Sequence, residues 1–294
     1  MRRIAGIDTG SGYTKAVVIA ETSEGGRPII VSRGMRKTGV NMEEAALLAL
    51  DAALKDVGLT HEDVCYVAAT GFGRYGIGFR DIQITEITSG ARGAFYLEPE
   101  TDLVLDIGSQ STRAMSLKEN GKVRTFKTND KCAAGSGSFI QRAAKYLEVP
   151  IEQAGELALR ATSPQPISSV CAVLAESEII NLVSTGLGVE DIMRGIYDSL
   201  ADRAALLLKR AGTGKRLMFI GGVATQRGMV KALEERLGVD VTVPPDCEYV
   251  CALGAALLGL KRLQMNEERE ANPQIAENSS APGTVDCGTA LPQM

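Results

Sequence analysis

Short unbroken apolar runs alternate with longer stretches of three-to-four spacing along most of the chain, and the two patterns predict different elements. The runs at 4–7, 16–20, 64–68, 103–105, 114–117 and 217–220 have the length and largely apolar content expected of strands. Residues 42–57, 134–147, 151–161, 170–184, 189–211, 227–237 and 252–260 place apolar side chains at helical spacing. After about Leu263 the periodicity stops. Residues 265–294 are rich in Asn, Glu, Ser, Pro and Gly, so a disordered tail is expected from 264 onward.

Strands and helices in alternation define an α/β chain, and an internal repeat organises it. Asp8-Thr9-Gly10-Ser11-Gly12-Tyr13-Thr14-Lys15-Ala16 aligns with Asp106-Ile107-Gly108-Ser109-Gln110-Ser111-Thr112-Arg113-Ala114, so that Asp, Gly, Ser, Thr, a cation and Ala recur in register. In both copies a strand enters the motif, a second leaves it, and a glycine turn leads to a third. This context rules out a dinucleotide-binding G-x-G-x-x-G, which must open a helix, because Gly12 is soon followed by Val17-Val18-Ile19.

A hairpin tip of Gly and Ser can instead aim backbone N–H groups and hydroxyls at a phosphate. The strand-end Asp8 and Asp106 would hold Mg²⁺ or its waters, and Lys15 and Arg113 would add positive charge. Two such tips face to face would clamp a triphosphate, with Gly10, Ser11, Gly12, Tyr13, Thr14 and Lys15 on one side and Gly108 and Ser109 on the other. A third element, Leu217-Met218-Phe219-Ile220-Gly221-Gly222, breaks a strand into paired glycines ahead of a helix. Gly221 and Gly222 would let backbone approach adenine and ribose, with Gln226 in the same site. Together the three elements resemble the two-lobed actin/Hsp70/sugar kinase-like ATPase fold with duplicated βββαβα-type lobes. The resemblance implies lobe I at 1–97 joined by a C-terminal helix at 252–263, and lobe II at 98–251.

Composition narrows the partners. The 294 residues are 45% hydrophobic, enough to bury a sizeable core in two lobes. A net charge of −4 without a basic run gives no reason to bind nucleic acid, and no stretch approaches the length of a membrane span. The start of the chain carries no apolar signal core, so a cytoplasmic protein is expected. The single His61 sits in a polar turn and offers no Ser-His or Cys-His engine.

Six cysteines remain, at 65, 132, 171, 247, 251 and 287. Cys65 falls in a strand and is expected in the core; Cys247 and Cys251, with an unusual C-x₃-C spacing, are expected to be structural; Cys287 falls in the tail. Cys132 and Cys171 each lie at the start of a predicted helix among small neighbours (Ala133, Ala134, Gly135; Ala172). There the helix dipole and free N–H groups favour a thiolate. Each reads equally as a small hydrophobe in a packed core. As ligands, two thiolates are half of a Cys₄ set, and the simplest source of the other half is another chain.

The segments Asn129-Asp130-Lys131-Cys132-Ala133-Ala134-Gly135 and Cys171-Ala172-Val173-Leu174-Ala175-Glu176-Ser177-Glu178 resemble the signature segments of the ATPase/activator family serving 2-hydroxyacyl-CoA dehydratases and benzoyl-CoA reductases. The likeness runs from residue 3 to about 262. It implies a 4Fe–4S cluster shared by two subunits, two Cys from each, with Cys132 and Cys171 as this chain's ligands, and ATP and Mg²⁺ as further cofactors. It also implies catalytic iron–sulfur acyl-CoA reductase or dehydratase subunits as partners, and a low-potential donor such as ferredoxin or flavodoxin. The activators usually carry Asp-Ile-Gly-Gly-Gln-Asp; here Asp106-Ile107-Gly108-Ser109-Gln110-Ser111 keeps Gln110, which could position the attacking water, but lacks the last Asp. That departure, with the segment 90–100, is more similar to the smaller ATPase subunit of benzoyl-CoA reductases, which implies a related second ATPase subunit; a homodimeric dehydratase activator is the alternative. A small-molecule kinase of the same fold would need a catalytic Asp and a sugar-binding set that the sequence does not reveal.

Overall fold

The computed structural model describes residues 1–22, 26–129, 136–167 and 172–272, with the side chains of 172 and 173 excepted. In chain order these form β1 (Arg3–Thr9), β2 (Tyr13–Ala20), β3 (Ile29–Lys37), α1 (Met42–Asp56), β4 (Tyr66–Thr70), β5 (Ile82–Gln83) and α2 (Glu86–Leu97). The same order then recurs with added helices: β6 (Leu103–Ile107), β7 (Thr112–Leu117), β8 (Val123–Asn129), α3 (Gly137–Tyr146), α4 (Ile151–Ala158), α5 (Ala172–Ser184) and α6 (Val189–Ala211). β9 (Leu217–Ile220), α7 (Arg227–Leu237), β10 (Val241–Thr242) and α8 (Val250–Ala271) complete it.

The two sheets have one topology, β3-β2-β1-β4-β5 and β8-β7-β6-β9-β10. In each, the first three strands pair antiparallel and the fourth and fifth add in parallel. Even the irregularities coincide: Asp8 stands opposite Lys15 and Asp106 opposite Arg113, and the bulges fall at Val18/Ile19 and Ser116/Leu117. The sequence repeat is therefore a repeat of backbone register.

The central strands are apolar without alternation because helices cover both faces. On the first sheet, Ala5, Ile7 and Val18 meet Ala46, Leu50 and Ala53 of α1, while Ile4, Val17 and Ile19 meet Ala252, Ala256 and Leu260 of α8. On the second, Leu105, Ile107 and Phe219 pack with Phe139 and Leu200 beneath α3 and α6, and Val104, Met115 and Ile220 pack with Ala91 and Ala94 of α2. Thus α2 leaves the first sheet to cover the second, α8 leaves the second to cover the first, and the two helices lie against each other between the lobes.

Two local expectations change, and one helix is new. Cys65 is exposed rather than buried, because β4 begins at Tyr66 and Cys65 precedes the first ladder pair, Ile4 with Tyr66. The last helix does not stop near Leu263. α8 continues to Ala271 as a polar extension held from the side, where Gln264 Nε2 donates to Glu21 Oε1 at 2.7 Å and Arg2 pairs with both Glu21 and Glu267. The helix α2 was not singled out in the sequence, its buried face being built of the small residues Ser89, Gly90, Ala91, Gly93 and Ala94; Thr85 caps it, accepting from Thr88 N–H at 3.3 Å.

Candidate functional site

A cavity of about 930 Å³ opens between the lobes, within the size range of small-molecule and cofactor pockets. Both hairpin tips enter it. In each tip the glycine N–H turns back on the second strand: Gly10 N–H donates to Tyr13 O at 3.2 Å, and Gly108 N–H to Ser111 O at 2.9 Å. The tips meet across the cleft, so closely that a Cβ on Gly12 would stand 3.1 Å from Ser109 Oγ.

Behind each tip lies a carboxylate with a cation on the neighbouring strand. Lys15 Nζ is 3.6 Å from Asp8 Oδ2, and Arg113 Nη1 is 3.1 Å from Asp106 Oδ2. Burial drives the Asp106 carboxyl above the usual carboxylate range, Arg113 opposes this, and the charge of Asp8 adds to the rise. Cys251 Sγ lies 3.9 Å from the same Asp106 oxygen.

The glycine after each parallel strand serves the carboxylate. Gly71, after β4, has φ +92°, and a Cβ there would lie 2.6 Å from Asp8 Oδ1; Gly221, after β9, has φ +88°, and a Cβ would lie 2.5 Å from Asp106 Oδ1. So Gly221 makes room for Asp106, while a Cβ on Gly222 would meet nothing within 4 Å, and both residues line the cavity. The sequence reading missed Gly71, although Thr70-Gly71-Phe72-Gly73 repeats the strand-then-glycine pattern of Ile220-Gly221-Gly222.

Asp8, Gly10, Ser11, Gly12, Tyr13, Lys15, Asp106, Gly108, Ser109, Gln110, Gly221, Gly222 and Gln226 all line the cavity. Thr14 does not. Strand side chains alternate, so Tyr13 and Lys15 share the cavity face and Thr14 points inward, where its hydroxyl meets Thr38 Oγ1 at 3.0 Å. Thr38 in turn donates to Gly10 O at 2.7 Å, so the pair buttresses the tip from behind.

The second tip is also fastened to α3. Gly137 N–H donates to Gly108 O at 2.9 Å and Ser138 N–H to Ser109 O at 2.8 Å, so two of the helix's free first-turn donors are spent on the tip's carbonyls. On the far wall Gln226 is positioned by Tyr197, whose hydroxyl donates to its Oε1 at 3.0 Å.

Arg74, Glu86 and Arg113 form a chain of ion pairs across the cavity that the sequence did not signal, because it joins a turn, a helix start and a strand of different sheets. Cys247 and Cys251 line the same wall as buried thiols; burial pushes Cys247 up to about 12 and Cys251 well above the usual thiol range, which keeps both protonated. Cys132 and Cys171, the expected cluster ligands, lie outside the described residues. Among the described residues no group of three or more His, Cys, Asp or Glu is arranged to hold a metal ion. No described helix is long and apolar enough to cross a membrane.

Paired sheets of one topology, with facing hairpins and an Asp behind each, give this chain the actin/Hsp70/sugar-kinase-like ATPase fold. A family model described as the BadF/BadG/BcrA/BcrD ATPase family matches residues 5–259, and the chain belongs to that family. It is 39% identical over 259 residues to the activator of lactoyl-CoA dehydratase from Anaerotignum propionicum, covering 88% of this chain and 98% of that protein. It is 38% identical over 282 residues to one of the subunits of benzoyl-CoA reductase from Thauera aromatica, covering 93% and 98%. The structure of the activator of the 2-hydroxyisocaproyl-CoA dehydratase from Clostridium difficile, with bound ADPNP, superposes with a TM-score of 0.84 at 34% identity, over 91% of this chain and 97% of that one.

Proposed function

We propose that this chain hydrolyses Mg·ATP in the interlobe cleft and thereby delivers low-potential electrons, by way of a 4Fe–4S cluster bridging two subunits, to a catalytic iron–sulfur module of the benzoyl-CoA reductase type. The observation that carries it is the mirrored pair of hairpins, each with an Asp and a cation, whose second tip is hydrogen-bonded to the first turn of α3, the helix that follows Cys132 in sequence. In this reading Gly10, Ser11, Gly12, Gly108 and Ser109 present N–H and hydroxyl donors to the phosphates, and Lys15 and Arg113 balance their charge. Two hard oxygen donors in the cavity, Asp8 and Asp106, fit Mg²⁺, which is commonly held by one or two carboxylates and the substrate's own phosphates. Gln110 positions the attacking water, and Gly222 and Gln226 take the nucleoside side.

Cys132 and Cys171 are two soft ligands and fit half of a Cys₄ cluster, the other half coming from a related ATPase subunit. The cluster supplies one-electron chemistry. This chain's own part is mechanical: a displacement of the Gly108 and Ser109 carbonyls on phosphate binding pulls on the Gly137 and Ser138 N–H groups and so on the segment bearing Cys132. An external donor such as ferredoxin or flavodoxin would recharge the assembly.

A homodimeric dehydratase activator is the second reading, favoured by the identity to the lactoyl-CoA dehydratase activator; the benzoyl-CoA reductase type is favoured by Ser111 in place of Asp and by the segment 90–100. Anaerobic purification tests the common core: a brown protein with about four Fe per dimer is expected, and the Cys132→Ser and Cys171→Ser variants should each lose that iron. Unchanged iron in either variant would overturn the proposal. Native mass and the co-purifying subunits then separate the two readings, a heteromeric complex supporting the first.

A further inference from the structure

One carboxylate in the cleft has no part in the reading above. Glu86 opens α2, and its side chain is 14% exposed. Its Oε2 accepts from Arg74 Nη1 at 3.0 Å, and its Oε1 lies 3.2 Å from Arg113 Nη2. Arg74 sits in the turn after β4 of the first sheet and Arg113 on β7 of the second, so this single carboxylate joins the two lobes across the cavity.

The surroundings show what Glu86 offsets. Asp8 already has Lys15, and Asp106 already has the other terminal nitrogen of Arg113. Arg74 is held in place by neutral groups, donating to Gly71 O at 2.8 Å and to Tyr75 Oη at 3.2 Å, with its guanidinium 4.5 Å above the Tyr75 ring. Two guanidiniums are thus aimed at one anionic position inside a cavity built for phosphates. A terminal phosphate carries more charge than a carboxylate and three oxygens suited to guanidinium forks, so it competes well for such a pair.

We propose that Glu86 is an internal stand-in for the terminal phosphate: it holds Arg74 and Arg113 together in the nucleotide-free cleft and yields both to the γ-phosphate, and so sets how strongly the protein prefers ATP over ADP. The inference rests on the nucleotide reading of the cleft. It also gives the first turn of α2 a direct report of the γ-phosphate, since α2 begins at Glu86 and lies against α8 between the lobes.

The test is a pair of dissociation constants, for a non-hydrolysable ATP analogue and for ADP, each with Mg²⁺, on the anaerobically purified full-length protein. Glu86→Gln removes the competing charge, so the analogue should bind about tenfold more tightly while ADP changes by less than about twofold. Arg74→Gln should weaken the analogue and spare ADP. Glu86→Asp keeps the charge and should return the ratio toward that of the unaltered protein, a result that mere loss of packing would not give; it also serves if Glu86→Gln unfolds. Equal shifts for both nucleotides in Glu86→Gln, or a weakened analogue, would overturn the proposal. If the unaltered protein binds neither nucleotide, the nucleotide reading itself fails and this inference with it; if it binds both and the ratio ignores Glu86, only the inference fails.

Discussion

Asp106 is the residue at which stability and the proposed chemistry oppose each other. Its burial favours the neutral carboxyl and Arg113 favours the ionised one, with burial the larger effect, so its folded value lies above the unfolded one. A group raised in this way stabilises the fold below its unfolded value, near ~3.9, and that contribution is lost as pH rises through the folded value. In the nucleotide- and metal-free protein, Asp106→Asn should therefore raise the melting temperature, with a gain that widens as pH rises above the unfolded value of the carboxyl, while abolishing Mg·ATP hydrolysis. Thermal unfolding across pH, alongside phosphate release, checks both halves; a gain independent of pH would contradict the assignment. Much of this residue-scale site was legible because its chemistry needs particular side chains in a repeated order: Asp8, Lys15, Asp106 and Gly108 stand in the sequence as they stand in the cleft. Thr14 falls outside the cavity lining because a motif is linear and a strand is two-faced. Gly71, Arg74 and Glu86 were missed because their meaning lies in contacts with Asp8 and Arg113 that only the paired sheets create.

At the scale of elements, the helices with a clear apolar stripe, such as α6 and α7, were readable to within a residue or two. The helix α2 was missed although it is amphipathic: its inner face is made of small residues because another backbone has to come close. A Cβ on Gly254 of α8 would lie 1.7 Å from Ser89 O, and one on Gly93 of α2 would lie 2.1 Å from Val250 O. Gly93 of α2 and Gly254 of α8 permit the crossing of the two helices between the lobes. Gly254→Ala should therefore cost roughly 2 kcal/mol or more of stability, from overpacking against backbone that has no rotamer to escape into. Chemical denaturation measures this, and a variant as stable as the parent would mean that the crossing is looser than these distances indicate. Leu206→Ala, on the exposed face of α6, should change stability by no more than about 0.5 kcal/mol in the same experiment.

At the scale of the molecule, the duplication places two equivalent hairpins on either side of one cleft, and only the second is tied to α3. On the proposed function, nucleotide closure would have an asymmetric consequence: the first tip is joined to β3 and the buttress of Thr14 and Thr38, the second to the helix that follows Cys132. The coupling is narrow enough to be cut at one residue. A Cβ on Gly137 would stand 3.2 Å from Gly108 O and 3.0 Å from Val223 Cγ2, so a branched side chain there must displace the tip from the helix. In the unaltered protein, an ATP analogue is expected to change the rate at which a chelator removes iron and to shift the cluster potential, since exposure and hydrogen bonding to sulfur both set that potential. Gly137→Val should weaken nucleotide binding, since the displaced tip carries Gly108 and Ser109, but with the analogue at saturation it should still lose most of both responses. If the variant binds the analogue and its iron still responds fully, the movement reaches the cluster by another route, and the two hydrogen bonds from α3 serve only to hold the helix in place.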